Sequence, residues 1–358
     1  MRIAYYLHWN MSLESGVLKK LAAQLSAWRQ QGADVQIFAL THALPVWSGL
    51  SSLPVTALLN GNFLTRDRQA RQLIAQMEHW QPDVVYARFG TYYPALEVMF
   101  RRFPVVFEIN TDDQLENRLA YSAWRVAYHQ LTRSRMLKGA AGLVFVTREL
   151  AARFAWAGPQ TVIANGISLA DYPELPAPQN ESPHLVFMGH PGIARDLTAN
   201  WHGLDRLLQM ASIFPTWQFD VIGPSAQEVG TVPPNVHLQG YLGSAEYTPL
   251  LARSDIGIGT LALERKGMRE ACPLKVREYL ASGLPVITTY QDTDFPDGAP
   301  FLLNLPLASS DLSAHSMEIQ TFVQHWRGAR IPRPAIAHLD STQKETLRLE
   351  FLAQFKNH

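Results

Sequence analysis

Short apolar runs alternate along the chain with longer stretches in which apolar residues recur every three or four positions. Ile3 to Leu7 is the first run, and the polar loop "HWNMSLESG" follows it. From there Val17, Leu18, Leu21, Leu25 and Trp28 fall at helical spacing, Gly32 closes the helix, and "DVQIFAL" (Asp34 to Leu40) is the next strand. The alternation continues through "DVVYARF", "PVVFEIN" and "GLVFVT". Strand-length β-branched runs separated by helices predict a parallel sheet covered on both faces.

A Pro-rich polar stretch, "YPELPAPQNESP" (Tyr172 to Pro183), reads as a linker, and a second series of the same kind follows it. "HLVFMG", "QFDVIG", "NVHLQG", "DIGIGT" and "PVITT" are its strands, with helices around Leu204 to Met210, around Tyr247 to Arg253 and from Leu274. The pattern predicts two successive doubly wound, Rossmann-like α/β domains, residues 1–172 and 173–340. A final helix over 341–358 is expected to cross back onto the first. Thr342 and Glu345 suggest a capping box for that helix, with Leu347, Phe351 and Phe355 as its apolar positions. Ligands of such sheets sit at the carboxyl ends of the strands, here expected in a cleft between the domains.

Composition narrows the class. A chain of 358 residues exceeds one ordinary core, and 47% hydrophobic with 17% charged residues argues against disorder. The 31 Lys/Arg balance 31 Asp/Glu, so no nucleic-acid partner is expected. The balance conceals an asymmetry: 17 Lys/Arg against 12 Asp/Glu up to Tyr172, then 14 against 19. A single cysteine, Cys272, excludes an internal disulfide framework and a cysteine-built zinc site. His184, His190 and His202 are scattered and read as structural or polar contacts, so no metal is expected. Arg2 and His8 interrupt any signal-type segment, and no apolar run reaches about 18 residues. A soluble cytoplasmic protein is the expectation.

The window richest in chemistry is "LERKGMREACPLKVREYLASGLPVI", Leu263 to Ile287. Glu270 falls in a predicted loop, Pro273 favours a helix starting just after it, and Glu278 lies about a turn inside. Two carboxylates so placed can face one hydroxyl-rich ligand; the alternative is a pair of solvated face residues. The same helix N-terminus offers free amides to a phosphate, Lys275 adds a cation, and Arg265, Lys266 and Arg269 are near in sequence.

These residues resemble the retaining GT-B glycosyltransferases, specifically glycosyltransferase family four. Glu270 and Glu278 match its E-x7-E pair and "REYLASGLPVI" the segment after it. "VIANGISLADYP", "LVFMGHPG" with "WHGLDRLL", "FDVIGPS", "VHLQGYLGSAEYTPLLARSDIGI" and the "SGV" loop at Ser15 to Val17 match in order, over nearly the whole chain. The resemblance implies a hexose transferase using a nucleotide-diphosphate sugar, without cofactor or metal. It implies that Glu278 binds the ribose, that Glu270 contacts donor-sugar hydroxyls, and that backbone near Tyr241 and Leu242 holds the base. Amides of Cys272, Leu274 and Lys275 would lie near the diphosphate and sugar. Gly16 would approach the diphosphate from the first domain, and Gly189 and His190 belong to the glycine loop.

Several positions depart from the family: Ser168 stands where its NGID segment has Asp, and Arg88 and Glu108 end first-domain strands where it often has His. Where it places an Arg and a Lys for the diphosphate, this chain has His190 and His202. Arg195 and Lys275, with Lys266 behind them, are the replacement cations that the sequence offers. Catalysis by such a site is electrostatic, with the domains closing to exclude water. On the acceptor side, Arg88 is a catalytic candidate or else a partner of Glu108, while Asn110 and Asp112 face an acceptor or, for Asp112 with Asp113, cap a helix. A glycan or lipid-linked acceptor is expected. The segment Leu115 to Lys138 mixes Tyr121, Trp124 and Tyr128 with Arg118, Arg125, Arg133 and Arg135. It reads either as a helix resting on an anionic membrane or as one long helix packing its aromatics on the sheet. Two other functions fit the same frame: a nucleotide-sugar epimerase and a non-catalytic nucleotide-sugar binding protein.

Overall fold

The structure, a computed structural model, describes residues 1–189, 200–306 and 311–356, without the side chains of 119 and 120. The chain forms two compact units, Met1–Gly166 with Ser341–His358, and Ile167–Asp340. The first therefore ends at Gly166 rather than Tyr172.

In the first unit the elements run β1 (Arg2–His8), α1 (Gly16–Gln30), β2 (Asp34–Thr41), β3 (Val55–Leu59), α2 (Phe63–Trp80), β4 (Val84–Arg88), α3 (Ala95–Arg102), β5 (Val105–Ile109), α4 (Asp113–Ala120), α5 (Ala123–Gly139), β6 (Gly142–Phe145), α6 (Arg148–Phe154) and β7 (Gln160–Val162). The strands form one parallel sheet in the order β3-β2-β1-β4-β5-β6-β7. Ile3 to Leu7 are all buried, as expected where helices cover both faces. Ser15 caps α1 by accepting from the Leu18 amide at 3.3 Å, and Leu18, Leu21, Leu25 and Trp28 form the helix's buried stripe. The winding direction reverses between β1 and β4, where doubly wound sheets open a crevice at the strand ends.

The second unit runs β8 (His184–Met188), α7 (Leu204–Ile213), β9 (Gln218–Ile222), α8 (Ala226–Val229), β10 (Val236–Gly240), α9 (Ser244–Arg253), β11 (Ile256–Ile258), β12 (Glu270–Ala271), α10 (Leu274–Ala281), β13 (Val286–Thr288), β14 (Gln291–Asp292), β15 (Leu302–Asn304) and α11 (Ser316–Trp326). Its parallel sheet has the order β10-β9-β8-β11-β13-β15, so the reversal lies between β8 and β11. β12 and β14 pair separately. Near this reversal the chain passes Gly223 at φ +120°, where an added Cβ would stand 2.1 Å from the Gly189 carbonyl oxygen. Only glycine lets the two loops approach so closely.

The Pro-rich stretch read as a linker is docked on the second unit. Arg330 donates to the carbonyls of Pro176, Ala252 and Ser254 at 3.1, 2.5 and 2.8 Å, and Arg327 donates to that of Glu181 at 2.6 Å. Asn180 donates to buried Asp255 at 2.9 Å. A segment rich in proline has more carbonyls than amides, and guanidinium groups supply the missing donors.

The last helix, α12 (Ser341–Ala353), belongs to the first unit and packs on α1. Phe351 and Phe355 join that unit's core, and Gly142 leaves room for the Phe355 ring, which an added Cβ would meet at 2.6 Å. The helix already starts at Ser341, so Thr342 lies inside it, and Glu345 is buried among side chains instead of closing a capping box. Leu347, expected to be buried, is exposed. The basic segment expected to be one helix is two, α4 and α5, broken at Tyr121 and Ser122.

Candidate functional site

At the reversal of the second sheet, three elements fix the side chains that the sequence singles out. Pro273 has an extended backbone and precedes α10, which starts at Leu274 and stops before Gly283 at φ +76°. Among the described residues the amides of Leu274 and Lys275 bond to no carbonyl and head the helix. Arg277, fully buried, anchors the helix with a two-pronged contact to Asp292 (2.7 and 2.8 Å) and a third bond to Asp294 at 2.9 Å. Desolvation opposes its charge, but these carboxylates outweigh it and raise its pKa. Such a pair fixes geometry more than it adds stability. It ties α10 to β14, and β14 pairs Gln291 with Glu270 on β12. Glu270 thus sits on a two-residue strand, not in the expected loop, and is buried.

Glu278 is also buried and accepts a 2.5 Å hydrogen bond from Tyr247 on α9. The next residue, Tyr279, accepts from the Met188 amide at 2.6 Å and so holds the end of β8. Lys275 donates to the Gly259 carbonyl at 3.1 Å and lies 4.2 Å from the centre of the Phe187 ring. It is partly buried, and burial lowers its pKa to about 7. The adjoining Thr260 hydroxyl is buried without a partner. Among the described residues, an ammonium with no carboxylate beside it, a bare hydroxyl and two free helix amides therefore gather at the carboxyl ends of β8 and β11. That set of donors suits an anion.

The other predicted donor residues separate. Lys266 lies 4.1 Å over the Trp201 ring, which also packs on His202. Arg265 is committed to Asp205 (2.9 and 2.7 Å) and to the Asn200 carbonyl at 2.7 Å, so it fixes the start of α7 instead. Gly189 follows β8 and bonds back to Ile222 at 3.0 Å; His190 and Arg195 lie outside the described residues. Tyr241 is exposed just past β10, Leu242 is partly buried and Cys272 is buried. In the first unit Gly16 heads α1.

The first unit has its own cavity, about 380 Å³, at the carboxyl ends of β1, β4 and β5. Beside it lies a buried charge cluster. Lys20 donates to Glu108 at 2.8 Å and Asn110 donates to the other Glu108 oxygen at 3.1 Å. Arg348 from α12 bonds to Glu108 at 3.4 Å and pairs with Glu345, which also accepts from Gln24 (3.1 Å) and Trp28 (2.8 Å). Burial alone would raise the Glu108 pKa, but Lys20, Arg348 and Arg88 hold it well below the usual carboxylate range. Arg88 acts on Glu108 only from beyond 4 Å, whereas Lys20 and Arg348 make the ion pairs; its guanidinium lies 5.5 Å from the Trp9 ring and lines the cavity with Asn110. Asp112 caps α4 by accepting from the Gln114 and Leu115 amides, both at 3.1 Å, and pairs with Arg153 at 3.3 Å. It lines a separate hollow rather than this cavity.

The family model for Glycosyltransferase Family 4 matches residues 17–171, and that for Glycosyl transferases group 1 matches residues 182–304. Together they span both units in order. The chain belongs to the GT-B glycosyltransferases.

Solved structures agree with that assignment in fold. HepE of Anabaena, in complex with UDP and glucose, is 14% identical over 98% of this glycosyltransferase and 99% of its own chain, with a TM-score of 0.66. WaaG, a glycosyltransferase involved in lipopolysaccharide biosynthesis, is 12% identical over 99% and 100%, with a TM-score of 0.63. A UDP-GlcNAc 2-epimerase from Neisseria meningitidis, bound to UDP-GlcNAc, shares the fold at 14% identity over 99% and 100%, with a lower TM-score of 0.56. No curated protein sequence matches the glycosyltransferase. Sequence reasoning about the enzyme missed Tyr247, Asp292, Asp294, Lys20 and Arg348. "QDTDFPDG" did offer two carboxylates in alternation, but nothing in the chain ties them to Arg277, fifteen residues before Asp292.

Proposed function

We propose that this glycosyltransferase moves a hexose from a nucleoside-diphosphate sugar to a hydroxyl acceptor, a glycan, glycolipid or small molecule, and retains the anomeric configuration. The observation that carries the reading is the grouping of Lys275, the free amides of α10 and the buried Glu270 and Glu278 at one sheet reversal. Glu278 receives the ribose hydroxyls and Glu270 the hydroxyls of the donor sugar. Lys275 and the amides of Leu274 and Lys275 take the diphosphate, with Arg195 as a second cation. The C1–O bond to the diphosphate breaks and its electron pair goes to the phosphate oxygen. The acceptor hydroxyl then bonds to C1 on the same face, and its proton passes to that oxygen. The developing negative charge meets a cation and amide dipoles already in place, so the chain's own groups supply the stabilisation and neither metal nor cofactor is called for.

The test is incubation with UDP-, GDP- and ADP-hexoses and candidate acceptors, followed by proton NMR of the product. A product with the donor's anomeric configuration is expected, and an inverted one overturns retention. Epimerisation of donor alone would favour the relationship to the epimerases. Glu278→Ala should weaken nucleotide binding, and unchanged affinity would remove it from the site.

Peripheral contact with an anionic membrane at the cytoplasmic face is a second part of the proposal. The first unit carries 20 Lys/Arg against 13 Asp/Glu. On α5, Trp124 and Leu131 stand two turns apart and are 71% and 79% exposed, so these apolar side chains do not pack on the sheet. Arg125 lies over half-exposed Tyr121 at 3.9 Å. Among the described residues no helix is long and apolar enough to cross a bilayer. Co-sedimentation with anionic vesicles that is lost at high salt and in Trp124→Ser supports this contact; no sedimentation at any salt removes it.

A further inference from the structure

The cavity of the first unit is small, near the lower end of the roughly 300–1,000 Å³ typical of small-molecule pockets. Trp9, Tyr93 and Tyr121 give it aromatic walls, and Asn110 and His129 line it as well. His129 is 2% exposed; its Nε2 meets Asp113 at 2.5 Å and its Nδ1 is buried without a partner. That nitrogen is closed off from the cavity as well as from solvent, so His129 shapes the wall and offers a ligand no acceptor. Aromatic faces with a few placed polar groups are the furnishing of a pyranose site.

Among the described charged groups that line the cavity, Arg88 alone lacks a counter-charge; Arg66, behind Tyr93, is a second unmet cation but does not line it. Asp113 is held by the Arg133 fork at 2.8 and 3.1 Å as well as by His129. His8 is driven down to about 4, first by burial and then by Arg66 and His42, so it is neutral near pH 7. Glu116 is engaged with other groups. In the neighbouring cluster the two carboxylates, Glu108 and Glu345, face Lys20 and Arg348, with Arg88 as a third cation. Among the described residues Arg88 has no carboxylate within 4 Å and donates no hydrogen bond; its guanidinium faces the Trp9 ring, and Glu108 feels its charge from beyond that distance. A half-buried guanidinium whose fork meets no protein acceptor is left to water, and that fork matches a carboxylate or phosphate two-prongedly.

Building on the transferase reading above, we propose that the acceptor taken by this cavity is a sugar bearing an anionic group, a carboxylate or a phosphate, which the Arg88 guanidinium binds. The sugar ring lies against the aromatic walls, and Asn110 meets its hydroxyls. Arg88 then selects the acceptor and takes no part in breaking the donor bond.

The experiment measures binding of three probes to the full-length chain by saturation-transfer NMR and calorimetry: methyl α-glucopyranoside, methyl α-glucuronide and glucose 6-phosphate. UDP is titrated separately into the same preparations. At least one acidic sugar should bind about tenfold or more tighter than the neutral glucoside, and which one identifies the source of the anion. The preference should vanish in Arg88→Met and survive in part in Arg88→Lys, with melting curves confirming that both variants are folded. Equal affinity for all three probes, binding of none, or a preference that persists in folded Arg88→Met overturns the inference. If UDP does not bind while the Arg88-dependent preference is intact, the donor reading fails and the anionic sugar site stands. If UDP binds and the preference is absent, the reverse holds.

Discussion

Raising the pH from about 7 to about 9 should loosen the protein's hold on a nucleoside diphosphate, and Lys275 should be the reason. Burial lowers its pKa from 10.5 to about 7, so near neutrality the empty site holds a mixture of ammonium and amine. A diphosphate against the ammonium raises the pKa again, and binding above pH 7 then takes up a proton. If the bound value returned fully to 10.5, the coupling would approach ~5 kcal/mol at about 1.36 kcal/mol per unit. Partial contact with solvent cuts that figure, so a fall of about three- to tenfold in affinity per pH unit is expected. UDP itself gains no charge in this range, because its last phosphate ionisation lies near 6. Calorimetry of UDP in buffers of different ionisation enthalpy would read both quantities, with uptake approaching ~0.9 proton near pH 8. Uridine, lacking the phosphates, should show neither effect, and Lys275→Met should bind weakly with a flat profile. Affinity independent of pH in the wild type, or the same slope in Lys275→Met, would refute the reasoning.

Three further outcomes follow from the packing. Lys275→Met should raise the melting temperature of the unliganded protein more at about pH 6 than at about pH 10. The unfolded chain binds the Lys275 proton more tightly, so the cost of burying that charge is complete below the folded pKa of about 7 and fades as pH rises toward 10.5. Arg277→Met should cost about 3–5 kcal/mol in denaturant unfolding, because Asp292 and Asp294 lose their buried partner. A loss under ~1 kcal/mol would show that solvent relieves them. Tyr247→Phe removes the 2.5 Å hydrogen bond that orients Glu278 and should weaken UDP binding by about 1 kcal/mol; tighter binding would mean that Tyr247 competes with the ribose.

The position of α10 was legible from local grammar. Pro273 starts it, Gly283 follows its end, and Glu278 falls within it at the spacing read from the sequence. Glu270 was legible as a neighbour of that helix but not as part of a strand, because β12 exists only through pairing with β14, and a two-residue strand has no period to detect. Arg88 shows the limit differently. Register does set it beside Glu108, as adjacent strand ends suggest, yet Lys20 and Arg348 reach that carboxylate first. Arg348 arrives from a helix 240 residues away, which no reading of neighbouring residues could supply.

Two doubly wound sheets, their main strands and helices and the carboxylate pair were determined by the sequence itself, since periods of two and 3.6 follow from backbone geometry and glycine and proline punctuate them locally. Tertiary structure alone decided which charges are met. With residues 341–358 joined to it, as the sequence suggested, and its boundary at Gly166, the first unit holds 20 Lys/Arg against 13 Asp/Glu, where residues 1–172 alone hold 17 against 12. Packing met Glu108, Asp113 and Asp292 with cations, while among the described residues Lys275 and Arg88 have no carboxylate within 4 Å. The physical reason is that ionisation and anion affinity depend on burial and on through-space neighbours, and both are fixed only when distant segments pack together.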